Sequence, residues 1–109
     1  MDQHAIVIAD RSGVIKLWSE GAERLLGHSA AEAVGQKLDL IVPLDFRAQH
    51  WVGFSKVMDG GPVGSAGQFF DLPVQCRSGE TRTLRGQLHV LRNEASHAIG
   101  AMAILTASN

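Results

Sequence analysis

Residues 43–58 read PLDFRAQHWVGFSKVM, and residues 60–62 read GGP. We expect this stretch to form the central helix, because Asp45 can cap its first turn and a Gly-Gly-Pro sequence cannot continue it. At about 100° per residue, one side of such a helix carries a broad apolar stripe. The stripe consists of Phe46, Trp51, Phe54, Val57 and Met58. His50 falls within it, between Phe46 and Phe54.

The imidazole of His50 is therefore expected on a buried face. An unpaired buried polar group costs about 1–3 kcal/mol, so its ring nitrogens need partners. Two interpretations are open. In the first, His50 is a core histidine bonded to a backbone carbonyl or a buried water. In the second, it is the ligand of a metal in an apolar cavity, with haem iron as the first candidate.

The part of the chain before this helix predicts two strands and two short helices. Residues 5–10 and 14–18 are rich in β-branched side chains and flank a Ser-Gly turn, which indicates a β-hairpin. Residues 19–27 predict a helix from a serine cap to a glycine stop, and the capping box at 29–32 begins a second one. The order so far is strand, strand, helix, helix.

After the central helix the hydrophobic pattern changes to a period of two. Residues 68–76, 80–91 and 98–106 predict three strands, preceded by a flexible connection at 64–67. Apolar and polar side chains alternate over residues 83–90, so one face of the middle strand is expected to be buried. The full order predicts an α+β fold, with a five-stranded antiparallel sheet and helices on one face.

The composition limits the classes of function. A chain of 109 residues is expected to form a single domain over residues 1–109, and its ten Lys and Arg nearly balance eleven Asp and Glu. No basic patch indicates nucleic acid, and no apolar run approaches the roughly 18 residues of a membrane span. The first residues do not resemble a signal peptide, and Cys76 is the only cysteine. We therefore expect a cytoplasmic location in a reducing compartment.

No pattern indicates an enzyme or a zinc site. The other histidines are scattered, without metal-ligand spacing. Asp39 and Asp45 are interpreted as caps and solvated charges, and Cys76 as a buried or edge thiol at a strand end. No nucleophile elbow and no phosphate-binding loop is present. We expect a protein that is not a catalyst.

The order of elements and several segments resemble a PAS domain of the bacterial sensory type. Residues 9–15, ADRSGVI, look like the opening hairpin of that family. Residues 18–28, WSEGAERLLGH, are similar to its W-N-x-x-A-E-x-x-x-G-Y segment, with Ser19 and His28 in place of Asn and Tyr. Residues 31–35 match E-x-x-G, and residues 76–80 look like its R-K-D-G-S turn. The resemblance implies a sensor or interaction module with a pocket between helices and sheet.

Within that family, Pro43-x-x-Phe46-Arg47-x-x-His50 is similar to the P-x-x-[YL]-R-x-x-H segment of haem-PAS oxygen sensors of the FixL type. The resemblance implies that His50 is the axial ligand of haem b. Two positions depart from those sensors. Trp51 stands where they commonly carry Asp, and in a gap-free count Phe70 replaces the distal Arg that hydrogen-bonds oxygen. Without this cationic donor, we expect the haem to prefer carbon monoxide or nitric oxide as its ligand, or to serve a redox role.

Two functional hypotheses follow from the sequence. The first is a sensor whose pocket binds a small-molecule ligand or a diatomic gas through haem b, with His50 as the metal ligand. The candidate pocket walls are Trp51, Phe54, Val57, Phe69, Phe70 and Leu72. The second is a cofactor-free PAS module for dimerisation and protein–protein signalling. A homodimer is expected in either case, since the family commonly forms one.

Overall fold

The computed structural model describes residues 4–61 and 68–107. These residues form five strands, three α-helices and two short 3-10 turns. The strands are β1 (His4–Asp10), β2 (Ile15–Trp18), β3 (Phe70–Gln75), β4 (Thr81–Arg92) and β5 (Ala98–Ala107). The helices are α1 (Glu20–Leu26), α2 (Ala30–Ala33) and α3 (Arg47–Met58), and the 3-10 turns are Leu38–Leu40 and Leu44–Phe46. The flexible connection expected at 64–67 lies outside the described residues.

All strands pair antiparallel in one sheet with the order β2-β1-β5-β4-β3. The predicted α+β fold with a five-stranded antiparallel sheet is confirmed. The first and last strands of the chain, β1 and β5, pair with each other over seven residue pairs at the centre of the sheet. The two hairpins predicted from turn residues lie on either side of this pairing.

The short helices begin and end as their capping residues predict. The Ser19 side chain accepts a hydrogen bond from the Ala22 amide, and α1 ends at Gly27, which has a φ of 92°. Glycine adopts this left-handed conformation without steric cost. The capping box between Ser29 and Glu32 is present in both directions.

The predicted start of the central helix is wrong in one detail. Asp45 does not cap α3, because residues Leu44–Phe46 form a separate 3-10 turn and the cap position, Phe46, makes no side-chain hydrogen bond. The extra turn changes the direction of the chain before α3 begins at Arg47. Phe46 consequently lies outside the buried stripe, with 44% of its surface exposed.

The apolar core lies between the sheet and the first two helices. Alternate residues of β1, Ala5 and Val7, are buried against α1, and Leu84 and Leu105 meet them from β4 and β5. The intervening residues of these strands point to the opposite face of the sheet. No helix in the described part of the chain is long and apolar enough to cross a membrane.

Helix α1 approaches the sheet so closely that one position requires glycine. A Cβ at Gly21 would overlap the carbonyl oxygen of His4 in β1. Gly53, in α3, has no atom within 4 Å of the same position. The two helical glycines thus differ in their surroundings, and only Gly21 is needed for packing.

We predict opposite effects of alanine at these two glycines. Gly21→Ala is expected to lower the free energy of unfolding by about 1–3 kcal/mol, because the backbone of β1 must move. Gly53→Ala is the matched control and should raise it by about 0.5–1 kcal/mol through helix propensity. Urea denaturation followed by circular dichroism measures both. Equal effects of the two substitutions would contradict the close approach of α1 to β1.

Candidate functional site

A cavity of about 470 Å³ lies between α3 and the inner face of the sheet. This volume falls within the roughly 300–1,000 Å³ that small-molecule sites occupy. Its walls are almost entirely apolar, with contributions from α3, the turn before it and four strands. The principal lining residues are Val7, Ala9, Leu38, Ile41, Val42, His50, Phe54, Val57, Met58, Leu72, Val74, Leu88, Val90, Ala101, Ala103 and Leu105.

Small side chains on the central strands explain why this space exists. Ala9 of β1 pairs with Ala101 of β5, and Ala103 is the next inward residue of the same strand. A methyl group fills far less space than the side chains of Leu84 and Leu105, which close the other end of the sheet against α1. The α3 side chains above the alanines therefore leave a gap between helix and sheet.

His50 is a titratable residue of α3 at the cavity wall. Its Nδ1 is buried and has no hydrogen-bond partner among the described residues. Burial lowers the pKa of the His50 imidazole below its usual range, and the negative charge of Asp39 opposes this shift. The ring is therefore neutral at neutral pH, which is the form that binds metal ions.

Aromatic side chains of α3 pack against the imidazole. The Trp51 ring lies edge-on to it at a centroid distance of 4.8 Å, and the Phe54 ring is tilted against it at 5.8 Å. The Trp51 indole Nε1 donates a hydrogen bond of 2.7 Å to Asp39 Oδ1. Asp39 thus accepts a hydrogen bond from a half-buried tryptophan. From the sequence it was interpreted as a cap or a solvated charge.

The structure brings four of the predicted pocket residues together. His50, Phe54, Val57 and Leu72 line the cavity. Trp51 lies beside it, between α3 and the β1–β2 turn, where a Cβ at Gly13 would overlap its ring.

The two remaining predicted wall residues are at the start of β3. Phe69 is 52% exposed and lies against the guanidinium of Arg85, 5.2 Å from its ring centroid. It does not line the cavity. The backbone of Phe70 pairs with Gly86 of β4, and its side chain lies outside the described part of the structure.

Two arginines hold the ends of α3. Arg47 donates from Nε to the Val42 carbonyl at 3.0 Å and from Nη2 to the Asp39 carbonyl at 3.2 Å. At the other end, Arg11 Nη1 donates to the carbonyls of Met58 (2.7 Å) and Ala98 (2.9 Å). The arginine of the haem-PAS-like segment is thus a structural residue, since it joins the first turn of α3 to the preceding loop.

Sequence reasoning missed several residues that shape the site. Ala101 and Ala103 of β5 form part of the cavity floor, and no sequence pattern singled them out. Gln49 and Lys56, polar residues of α3, also contribute to the cavity wall. Among residues 4–61 and 68–107, no three His, Cys, Asp or Glu side chains come together as a metal site. A metal in this cavity would therefore have fewer than three such ligands from the described residues, as haem iron does.

An antiparallel sheet that bounds an apolar cavity together with short helices is the arrangement of a sensory domain. The chain belongs to the PAS family, whose fold model matches residues 3–106. The FixL sensor protein of Bradyrhizobium diazoefficiens is 41% identical over 46 residues, which supports the FixL-like resemblance. That match covers 42% of this chain and 9% of the relative, so it spans less than a tenth of the relative's length.

Solved structures share the fold over nearly the whole chain. A PAS domain from Colwellia psychrerythraea has a TM-score of 0.78 and 22% identity, covering 98% of this chain and 87% of that one. The PAS domain of the Cronobacter turicensis RpfR quorum-sensing receptor, solved in complex with C12:0, has a TM-score of 0.76 and 18% identity. The coverage is 100% of this chain and 97% of that one. At these identities the likeness establishes the shared fold.

We predict that removal of the Arg47 guanidinium destabilises the protein. Arg47→Met should lower the free energy of unfolding by about 1–3 kcal/mol, because two carbonyls lose a charged donor. Arg47→Lys should recover part of the loss. Lys56→Met, at an exposed position on the cavity rim of the same helix, is the control for loss of a positive charge. If Arg47→Met is no more destabilising than Lys56→Met in urea denaturation, Arg47 does not hold the start of α3.

Proposed function

We propose that this PAS domain is the sensory module of a cytoplasmic signalling protein and binds haem b, with His50 as axial ligand. The observation that carries the proposal is the buried Nδ1 of His50, which has no partner among the described residues, at the wall of an apolar cavity. An unpaired buried ring nitrogen is costly, and a ligand that uses the imidazole would offset that cost.

The residues around the cavity fit a haem group. The neutral imidazole of His50 supplies a nitrogen ligand, and the side chains of Phe54, Val57 and Leu72 supply apolar walls. Lys56 and Gln49 supply polar groups for the carboxylates that haem carries. When bound, haem would supply an iron centre that takes a diatomic gas or changes oxidation state.

The gas preference is inferred from Phe70. This residue stands, in the gap-free count, where oxygen sensors of the FixL type carry an arginine. A phenyl ring donates no strong hydrogen bond, so oxygen gains little stabilisation there. We infer that the domain senses carbon monoxide, nitric oxide or redox state.

A direct test is the absorption spectrum of protein purified from haem-supplemented cells. We expect a strong Soret band in the wild type and its loss in His50→Ala, because the axial ligand is removed. His97→Ala, in the exposed turn before β5, is the matched control and should keep the band. A protein that stays colourless with added haemin would refute the haem proposal.

If haem does not bind, the apolar cavity still favours a small apolar ligand. The RpfR PAS domain was solved in complex with C12:0, so a domain of this fold can bind that molecule. In a colourless protein, C12:0 is therefore the first probe. A rise in melting temperature on its addition would support this second ligand class.

The second candidate function is a cofactor-free module that signals through dimerisation. The outer face of the sheet carries a cluster of apolar side chains at paired positions of β1, β2 and β5. These are Ile6, Ile8, Leu17, Met102 and Ile104, and Leu17 is 43% exposed. Apolar side chains clustered on an open sheet face are typical of an interaction surface. We propose that this face forms a homodimer.

We predict that a charge on the outer face prevents dimerisation. Ile8→Lys is expected to convert a dimer into a monomer in sedimentation equilibrium, because burying an unpaired ammonium in the interface is costly. Val52→Lys is the control: Val52 is 58% exposed on α3, away from the sheet, and should leave the dimer intact. A wild-type monomer, or dimeric Ile8→Lys, would contradict the proposed interface.

A further inference from the structure

The orientation of the His50 ring needs a physical cause. Histidines that bind metals almost always donate their second ring nitrogen to a carboxylate, carbonyl or water, and this bond fixes the ring. No hydrogen bond among the described residues involves the His50 ring, and its buried Nδ1 has no partner there. The close neighbours of the imidazole are instead the rings of Trp51 and Phe54, at 4.8 Å and 5.8 Å.

Trp51 is itself held on several sides. Its indole N–H donates to Asp39 Oδ1 at 2.7 Å. Its six-membered ring lies directly against Gly13 in the β1–β2 turn, where no side chain fits. The ammonium of Lys37 lies 5.6 Å from the ring centroid, the geometry of a cation–π contact. A tryptophan held in this way has little freedom to rotate.

Asp39 is fixed in turn by the backbone around it. It lies in the 3-10 turn Leu38–Leu40, and its carbonyl accepts a hydrogen bond from Arg47 of α3 at 3.2 Å. The neighbouring Leu38 amide donates to the Gly13 carbonyl at 3.0 Å. The carboxylate that holds the indole is therefore tied both to the β1–β2 turn and to the helix that carries His50.

We propose that Trp51 and Asp39 are positioning residues that act together to fix the orientation of the His50 imidazole at the cavity wall. Asp39 holds the indole by its N–H, and the indole edge restricts the imidazole. The role of this pair in ligand binding rests on the proposed function of His50. Its effect on the ring itself does not, since the ring contacts are made by the protein's own side chains.

The ring orientation can be tested without any ligand. The variants and the wild type, each with ¹³C-labelled histidine, are compared by aromatic ¹H–¹³C spectra at one fixed pH. Trp51→Phe and Asp39→Ala should each shift the His50 signals, and Asp45→Ala, the loss of a nearby carboxylate, should not. His28 and His97 signals serve as internal references for intact folding.

The double variant distinguishes a joint role from two separate ones. Because Asp39 acts through the indole N–H, the Trp51→Phe/Asp39→Ala double variant should show clearly less than the sum of the single shifts. Unchanged His50 signals in the single variants would overturn the proposal. Additive shifts would overturn it as well, because the two residues would then act independently.

Haemin titration provides the second readout. Loss of a supporting partner typically lowers the affinity of a metal site about 10- to 100-fold, and we expect this for Trp51→Phe and Asp39→Ala. Asp39→Asn retains an acceptor oxygen and should restore most of the affinity. Wild-type affinity in both damaging variants would overturn the positioning role in binding. Absence of haemin binding in the wild type would instead refute the proposed function, and the histidine spectra alone would then decide the positioning role.

Discussion

The site depends on how α3 is held at its two ends while its middle spans a gap. Arg47 ties the first turn to the carbonyls of Val42 and Asp39, and Arg11 ties the carbonyl of Met58 to that of Ala98 in β5. Charged donors to carbonyls are among the stronger hydrogen bonds in proteins. The helix can therefore keep its position without filling the space above the alanines of β1 and β5.

The most tightly packed part of the core and most of the cavity thus lie toward different ends of the inner face of the sheet. The tightly packed core lies at the α1 end of the sheet, where Leu84 and Leu105 are almost fully buried. The cavity lies toward α3, where Ala9, Ala101 and Ala103 are inward residues of β1 and β5. A ligand in the cavity would add contacts that the folded chain does not already make. Burial lowers the pKa of His50, so the imidazole at the cavity wall is neutral.

The sequence predicted what depends on local chemistry. Turn residues, caps and the period of two gave the five strands and short helices, and helical spacing placed His50 on the inner side of α3. The sequence did not predict the features that depend on tertiary contacts. The 3-10 turn Leu44–Phe46 moved Asp45 and Phe46 out of the predicted helix. Helical spacing alone also could not show that Trp51, in the apolar stripe, packs against Gly13 and does not line the cavity. The empty space itself follows from alanines on strands distant in sequence, which no local pattern reveals.

Trp51 shows how a departure from a family motif can be physically consistent. A short carboxylate after the histidine, as in sensors of the FixL type, could not reach Gly13 or fill the space beside the β1–β2 turn. The large indole does so, and the carboxylate it needs as acceptor comes from Asp39, twelve residues earlier in the chain. Since Leu38, next to Asp39, is bonded to Gly13, a displacement of His50 by a ligand would press on the same turn through Trp51. Trp51 therefore connects the imidazole of His50 to the β1–β2 turn through direct ring contacts.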